Sequence, residues 1–149
     1  MALIDLSDLP QGPILALDPG SKTIGVASCG ATRGLATPVE TIQRTKFTAD
    51  AARIFQLYDE RKAVGLVIGL PYNMDGSEGA RAQSSRALAR NLLGLRDIPI
   101  LFQDERLSTF EATEALISAG MRRERRKEVI DAHAAANILR SVLDRLEHL

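Results

Sequence analysis

Three acids spaced widely along the chain, Asp18, Glu105 and Asp131, are the residues whose type and setting point to chemistry. Asp18 closes the apolar run Ile14-Leu15-Ala16-Leu17, where Pro19-Gly20 turns the chain out of a strand. Glu105 comes directly after a second strand-like run ending near Gln103. Asp131 heads a helical stripe in which positions 131, 135, 138 and 142 read Asp, Ala, Ile and Val. A carboxylate at the edge of such an apolar face is costly to desolvate without a cation or hydrogen-bond donors. Oxygens gathered from three elements are hard ligands suited to Mg²⁺ or Mn²⁺. Two such ions can activate water and stabilise the leaving oxygen of a phosphodiester. A Ser-His-Asp alternative needs a placed histidine, and only His133 and His148 are available. Each acid taken alone has a plainer role. Asp-Pro-Gly is a common turn, Glu105 sits inside the Asp104–Arg106 charge cluster, and an acid near a helix start complements the helix dipole.

The residues around these acids are consistent with a polyanionic substrate. Lys22 follows Asp18 in a turn flanked by Gly20 and Gly25, as a phosphate contact or an ordinary turn lysine. Arg106 stands next to Glu105, where it could hold a phosphate or orient the carboxylates. Arg122, Arg123, Arg125, Arg126 and Lys127 oppose only Glu124, a strongly basic stretch that precedes the helix bearing Asp131 and suits a phosphate backbone. Asn73, in the loop 71–79, either touches substrate or holds a turn, and Asp75-Gly76 fits the turn well. With no tryptophan and 4% aromatic residues, base stacking is not an evident binding mode.

The elements that would position these groups follow from hydrophobic period and punctuation. Ile14–Leu17, Thr23–Ser28 and Gly34–Ile42 read as three strands joined by short links, hence an antiparallel meander. A helix follows from about Thr48 to Arg61, then an almost wholly apolar strand, Val64–Leu70. Ala80–Leu95 is helical again, and Pro99–Gln103 forms the fifth strand. Ser108 with Glu111 forms a capping box for a third helix closed by Gly120. Arg122–Lys127 reads as a basic connection, and Val129 to about Leu146 as the last helix. The pattern predicts one α/β domain over 14–149, a five-stranded mixed sheet with helices on both faces. Residues 1–13, ending in Pro10 and Gly12-Pro13, read as a tail outside the core.

Bulk composition narrows the class. A chain of 149 residues can bury a core without disulfides or structural zinc. Its net charge is zero, so attraction for nucleic acid has to come from local clusters such as 122–127. Cys29 is the only cysteine, which rules out an intrachain disulfide and fits a reducing cytoplasm; its expected role is a small apolar filler. No window has the roughly 20 apolar residues of a membrane span, and the expected location is cytoplasmic.

Four motifs in order, LALDPGSKTIGVA at 15–27, IGLPYNMDGSEG at 68–79, DERLST at 104–109 and the alanine-rich stretch around Val129-Ile130-Asp131, resemble the YqgF/RuvX family. The resemblance covers roughly residues 14–146. It implies an RNase H-like fold, Mg²⁺ or Mn²⁺, and an acidic triad carried by Asp18, Glu105 and Asp131. The implied activity is a pre-16S rRNA nuclease acting at the 5′ end of 16S rRNA, with nucleic acid and ribosomal precursor particles as partners. The family is also described as Holliday junction resolvases, and cutting two strands of branched DNA would call for a symmetric dimer. The chain is therefore expected as a monomer or homodimer. Two departures leave the acids intact: Pro19 replaces a bulkier residue after the first Asp, and residues 1–13 fall outside the pattern. A non-catalytic nucleic-acid-binding module is disfavoured because all three acids are present. A phosphate-loop ATPase lacks the required spacing.

Overall fold

The computed structural model describes residues 3–73, 75–104 and 123–148, with side chains in the last helix described from His133 onward. Five strands form one sheet: β1 (Ile14–Pro19), β2 (Thr23–Cys29), β3 (Thr37–Gln43), β4 (Gly65–Leu70) and β5 (Ile100–Asp104). Among the described residues, the helices α1 (Phe47–Glu60) and α2 (Ala80–Leu95) join strands, and α3 (Arg123–Glu147) follows the last strand. The expected helix from Ser108 to Gly120 lies outside the described residues.

The strand order is β3-β2-β1-β4-β5. Short links make β1-β2 and β2-β3 antiparallel, as expected. The helical crossovers make β4 parallel to β1 and β5 parallel to β4. Parallel strands need such connections, since no tight turn can return the chain to the same end of the sheet. β1 therefore lies at the centre, and every residue of β1, β2 and β4 is buried.

Alternation divides the core into two layers. Leu15, Leu17, Leu66, Ile68 and Ile100 pack with Ile54 and Leu57 of α1 and Leu88 and Leu92 of α2. Ile14, Ala16, Val67 and Leu101 face the other way, onto Ala135, Ile138, Leu139 and Val142 of α3. Each large aliphatic chain buried this way contributes roughly 1.5–3 kcal/mol. The small side chains Ala135 and Ala136 let α3 lie close to the sheet, chiefly over β2, β3 and β1.

Two expectations are corrected. α3 is already helical at Arg123, the first described residue of this stretch and well before Val129, so Arg123, Arg125, Arg126 and Lys127 belong to the helix instead of a connection. Arg and Lys are good helix formers, and a run of them prolongs a helix as readily as it ends one. Residues 1–13 do not form a tail outside the core over their described part. Ile4 N–H donates to Ile100 O at 2.9 Å, prolonging the sheet beside β5. A short 3-10 turn, Leu6–Asp8, follows, and Leu6 and Leu9 are buried in the α3-side layer. Arg33 Nε donates to Gly12 O at 2.9 Å and holds the end of this segment.

Candidate functional site at the carboxyl edge of the sheet

β1, β4 and β5 are parallel, so their carboxyl ends share one edge of the sheet. In open α/β sheets, ligands bind outside this edge. Leu17, Ile68 and Phe102 form one row across the three strands, and Asp18 stands just beyond it. On the other side Asp18 pairs with Gly25 of β2. Alternation puts Asp18 in the same series as Ile14 and Ala16, on the side covered by α3. Its residue is 7% exposed, which for a carboxylate requires donors or a cation nearby.

The three acids stand differently in the structure. Asp18 is described in full. Glu105 lies outside the described residues, directly after Asp104, the last residue of β5 at this same edge. Asp131 is on α3, one turn before the buried Ala135, and its side chain lies outside the described atoms. With α3 helical from Arg123 onward, Asp131 falls at least roughly two turns into the helix. The dipole explanation therefore loses its force, because that effect fades within the first turn. Among the described residues no three His, Cys, Asp or Glu side chains converge on one point.

The turn after Asp18 is held from β3. Arg44 Nη1 donates to Gly20 O at 2.6 Å, and Arg44 N–H donates to Lys22 O at 2.9 Å. This fixes the backbone at Lys22, whose side chain is exposed beside the site. β3 also ends at this edge, so α1 and α2 both start here and direct their positive dipole ends toward it.

Asn73 is occupied in shaping its own loop. Its N–H donates to Ser77 O at 2.7 Å and its Nδ2 to Ser77 Oγ at 3.0 Å. Asp75 accepts from Ser77 N–H at 2.9 Å and Ser77 Oγ at 2.6 Å, and these bonds lower its pKa. Arg86 of α2 grips Glu78 with Nε at 2.6 Å and Nη2 at 3.0 Å, which lowers the Glu78 pKa and ties the loop to the helix. Of the two roles expected for Asn73, the turn-holding one is visible. Arg106 and Arg122 lie outside the described residues, and the side chains of Arg123, Arg125, Arg126 and Lys127 outside the described atoms.

One residue at this edge went unnoticed in the sequence. Arg81, in the first turn of α2, reaches the end of β1. Its Nη2 lies 3.4 Å from Pro19 O and 3.9 Å from Asp18 Oδ1, an ion pair longer than a hydrogen bond. The available signal was a cation in the first turn of a helix with no acid there, against the preference of the helix dipole.

Residues 12–145 match the family model described as RuvX, Holliday junction resolvase. The chain belongs to the RuvX family. RuvX relatives include a protein of Phenylobacterium zucineum, 54% identical with both chains covered completely. Another, from Bradyrhizobium sp. strain ORS 278, is 58% identical over 93% of this chain and 86% of its own. Both carry the name "Putative pre-16S rRNA nuclease". Among solved structures, RuvC of T. thermophilus in complex with Holliday junction substrate superposes with a TM-score of 0.56 at 13% identity, covering 91% of this chain and 96% of that one. The yeast mitochondrial Holliday junction resolvase Ydc2 gives 0.53 at 12% identity, covering 96% and 84%. These likenesses establish the fold, which is RNase H-like as the motifs implied. Among the described residues no helix is long and apolar enough to cross a membrane.

Proposed function

We propose that this RuvX chain is a metal-dependent nuclease that processes the 5′ end of precursor 16S rRNA, on precursor particles in the cytoplasm. The observation that carries the substrate is the identity of more than half, over the whole chain, with a relative named as a pre-16S rRNA nuclease. The chemistry is supported by Asp18, a buried carboxylate at the carboxyl edge of the sheet, with Glu105 directly after β5 and Asp131 on the helix covering the Asp18 side. This all-oxygen set fits Mg²⁺ or Mn²⁺, which prefer carboxylates. Asp18, Glu105 and Asp131 would hold the ion or ions. When bound, the metal would supply charge stabilisation at the scissile phosphate and a more acidic attacking water.

The chain's own part is binding and orientation. Lys22, fixed by Arg44, offers a charge beside Asp18. Arg106 and the basic residues 122–127 supply further charge for the backbone of the substrate. Asn73 shapes the loop that borders the site on the β4 side. The family description favours a second reading, resolution of four-way DNA junctions. Purified protein with Mn²⁺, offered precursor 16S rRNA and a four-way DNA junction in parallel, separates the two. Cleavage of the RNA alone is expected, and cleavage of the junction alone would replace the rRNA reading.

A further inference from the structure

Arg81 is placed as no helix-stabilising residue would be. A cation in the first turn of α2 opposes the helix dipole, and no acid accompanies it there. By contrast, α1 carries Asp50 in its first turn. Local rules broken without a local gain mark functional positions. The side chain is 57% exposed, yet its Nη2 reaches within 3.9 Å of a carboxylate oxygen that is almost fully buried. The same nitrogen stands 3.4 Å from Pro19 O, which places the guanidinium at the rim of the site. Guanidinium presents a planar fork of donors that matches phosphate oxygens, and an exposed fork beside Asp18 is reachable by a bound strand.

We infer that Arg81 is a substrate contact, a guanidinium that lies against Asp18 in the resting protein and grips a phosphate next to the scissile bond when nucleic acid binds. This rests on the nuclease reading above. α2 and β1 already hold Arg81 and Asp18 at the same edge, so a strand bound there brings a phosphate within reach of the exposed guanidinium. Loop 71–79 serves the arrangement. Glu78 takes the Arg86 guanidinium instead, and Gly79 brings Asn73 against the start of α2, where an added Cβ would stand 3.2 Å from Asn73 Oδ1. Arg81 and Arg86 thus divide the work, one facing Asp18 and the other anchoring the loop.

The test compares wild type, Arg81→Ala and Arg81→Lys for binding of a fluorescein-labelled precursor rRNA fragment in EDTA over a range of salt. Single-turnover cleavage in Mn²⁺, Mn²⁺ affinity by electron paramagnetic resonance, and Tm are measured alongside. Arg81→Ala should weaken RNA binding about tenfold and make the salt slope shallower by roughly 0.7–0.9, one phosphate contact. Arg81→Lys should restore the slope but only part of the affinity, since the charge remains and the fork is lost. Mn²⁺ binding and Tm should stay near wild type. Unchanged RNA affinity and salt slope in Arg81→Ala overturns the inference. So does loss of Mn²⁺ binding with RNA affinity intact, which would make Arg81 a positioning residue for Asp18. If wild type cleaves and Arg81→Ala is indistinguishable, this inference alone fails; if wild type neither binds nor cleaves the RNA, the nuclease reading fails first.

Discussion

Gly65 opens β4 against the amino-terminal segment, and its missing side chain makes that contact measurable. A Cβ added there would lie 2.4 Å from Leu9 Cδ1 and 3.8 Å from Leu9 Cγ. Carbon atoms pack best at roughly 3.5–4.0 Å, so the Leu9 methyl would have to withdraw by more than about 1 Å. Leu9 is 7% exposed and sits in the α3-side layer, so its retreat disturbs the packing around it. Gly65→Ala should therefore cost about 1–3 kcal/mol, the usual range for overpacking. Leu9→Ala should cost about 2–5 kcal/mol as a cavity. In the double variant the new methyl occupies part of the space Leu9 vacates, and the loss should fall short of the sum by about 1–2 kcal/mol. Urea unfolding of the four proteins gives the cycle, and thermal scans should follow at roughly 3 °C per kcal/mol. A neutral Gly65→Ala, or losses that add within about 0.5 kcal/mol, would refute the packing of residues 3–9 on the sheet.

Two other outcomes follow from the pattern of charge and burial. Arg53 forks onto Glu40 with Nε at 3.0 Å and Nη2 at 2.5 Å, and this bonding lowers the Glu40 pKa; Arg96 does the same for Asp59, and Arg86 for Glu78. Because the folded values are lowered, these pairs contribute fully above the unfolded carboxylate pKa of about 4 and are lost as pH falls through the folded values. Urea titrations between about pH 6 and 3 should show Glu40→Gln with a smaller acid loss than wild type, and equal losses would contradict the assignment. Burial raises the pKa of the Cys29 thiol, so a disulfide reagent at about pH 8 should label it slowly in the native protein and rapidly in urea. Fast stoichiometric labelling of the native protein would count against the burial of β2.

The sheet was legible in the sequence wherever residues alternate or run apolar between turns. The meander, the apolar β4 and the limits of α2 all follow from local period and from Gly, Pro and Asp punctuation. Asp18 was legible for the same reason, because it stops the first apolar run. The amino-terminal segment was not. Leu3, Leu6 and Leu9 are scattered among acids and prolines, and what orders Leu6 and Leu9 is the sheet they cover, a tertiary partner that no window reveals. The start of α3 was missed because a dense basic run looks like a solvated link, although its residues favour helix. Arg81 was invisible as a partner of Asp18 because 62 residues separate it from Pro19, the neighbouring contact at the end of β1. Its odd place against the helix dipole was the one local clue.

If Asp18, Glu105 and Asp131 carry metal-dependent hydrolysis of precursor rRNA, Asp18→Asn removes one of the three charges with the least change in shape. Cleavage of precursor 16S rRNA by wild type and Asp18→Asn should be followed across a titration of Mn²⁺, with Tm as the check on folding. The variant should fold and its cleavage should fall by more than about 100-fold, beyond the roughly 10–100-fold that altering a ligand's supporting partner typically costs. Wild-type cleavage by a folded Asp18→Asn protein would contradict that role.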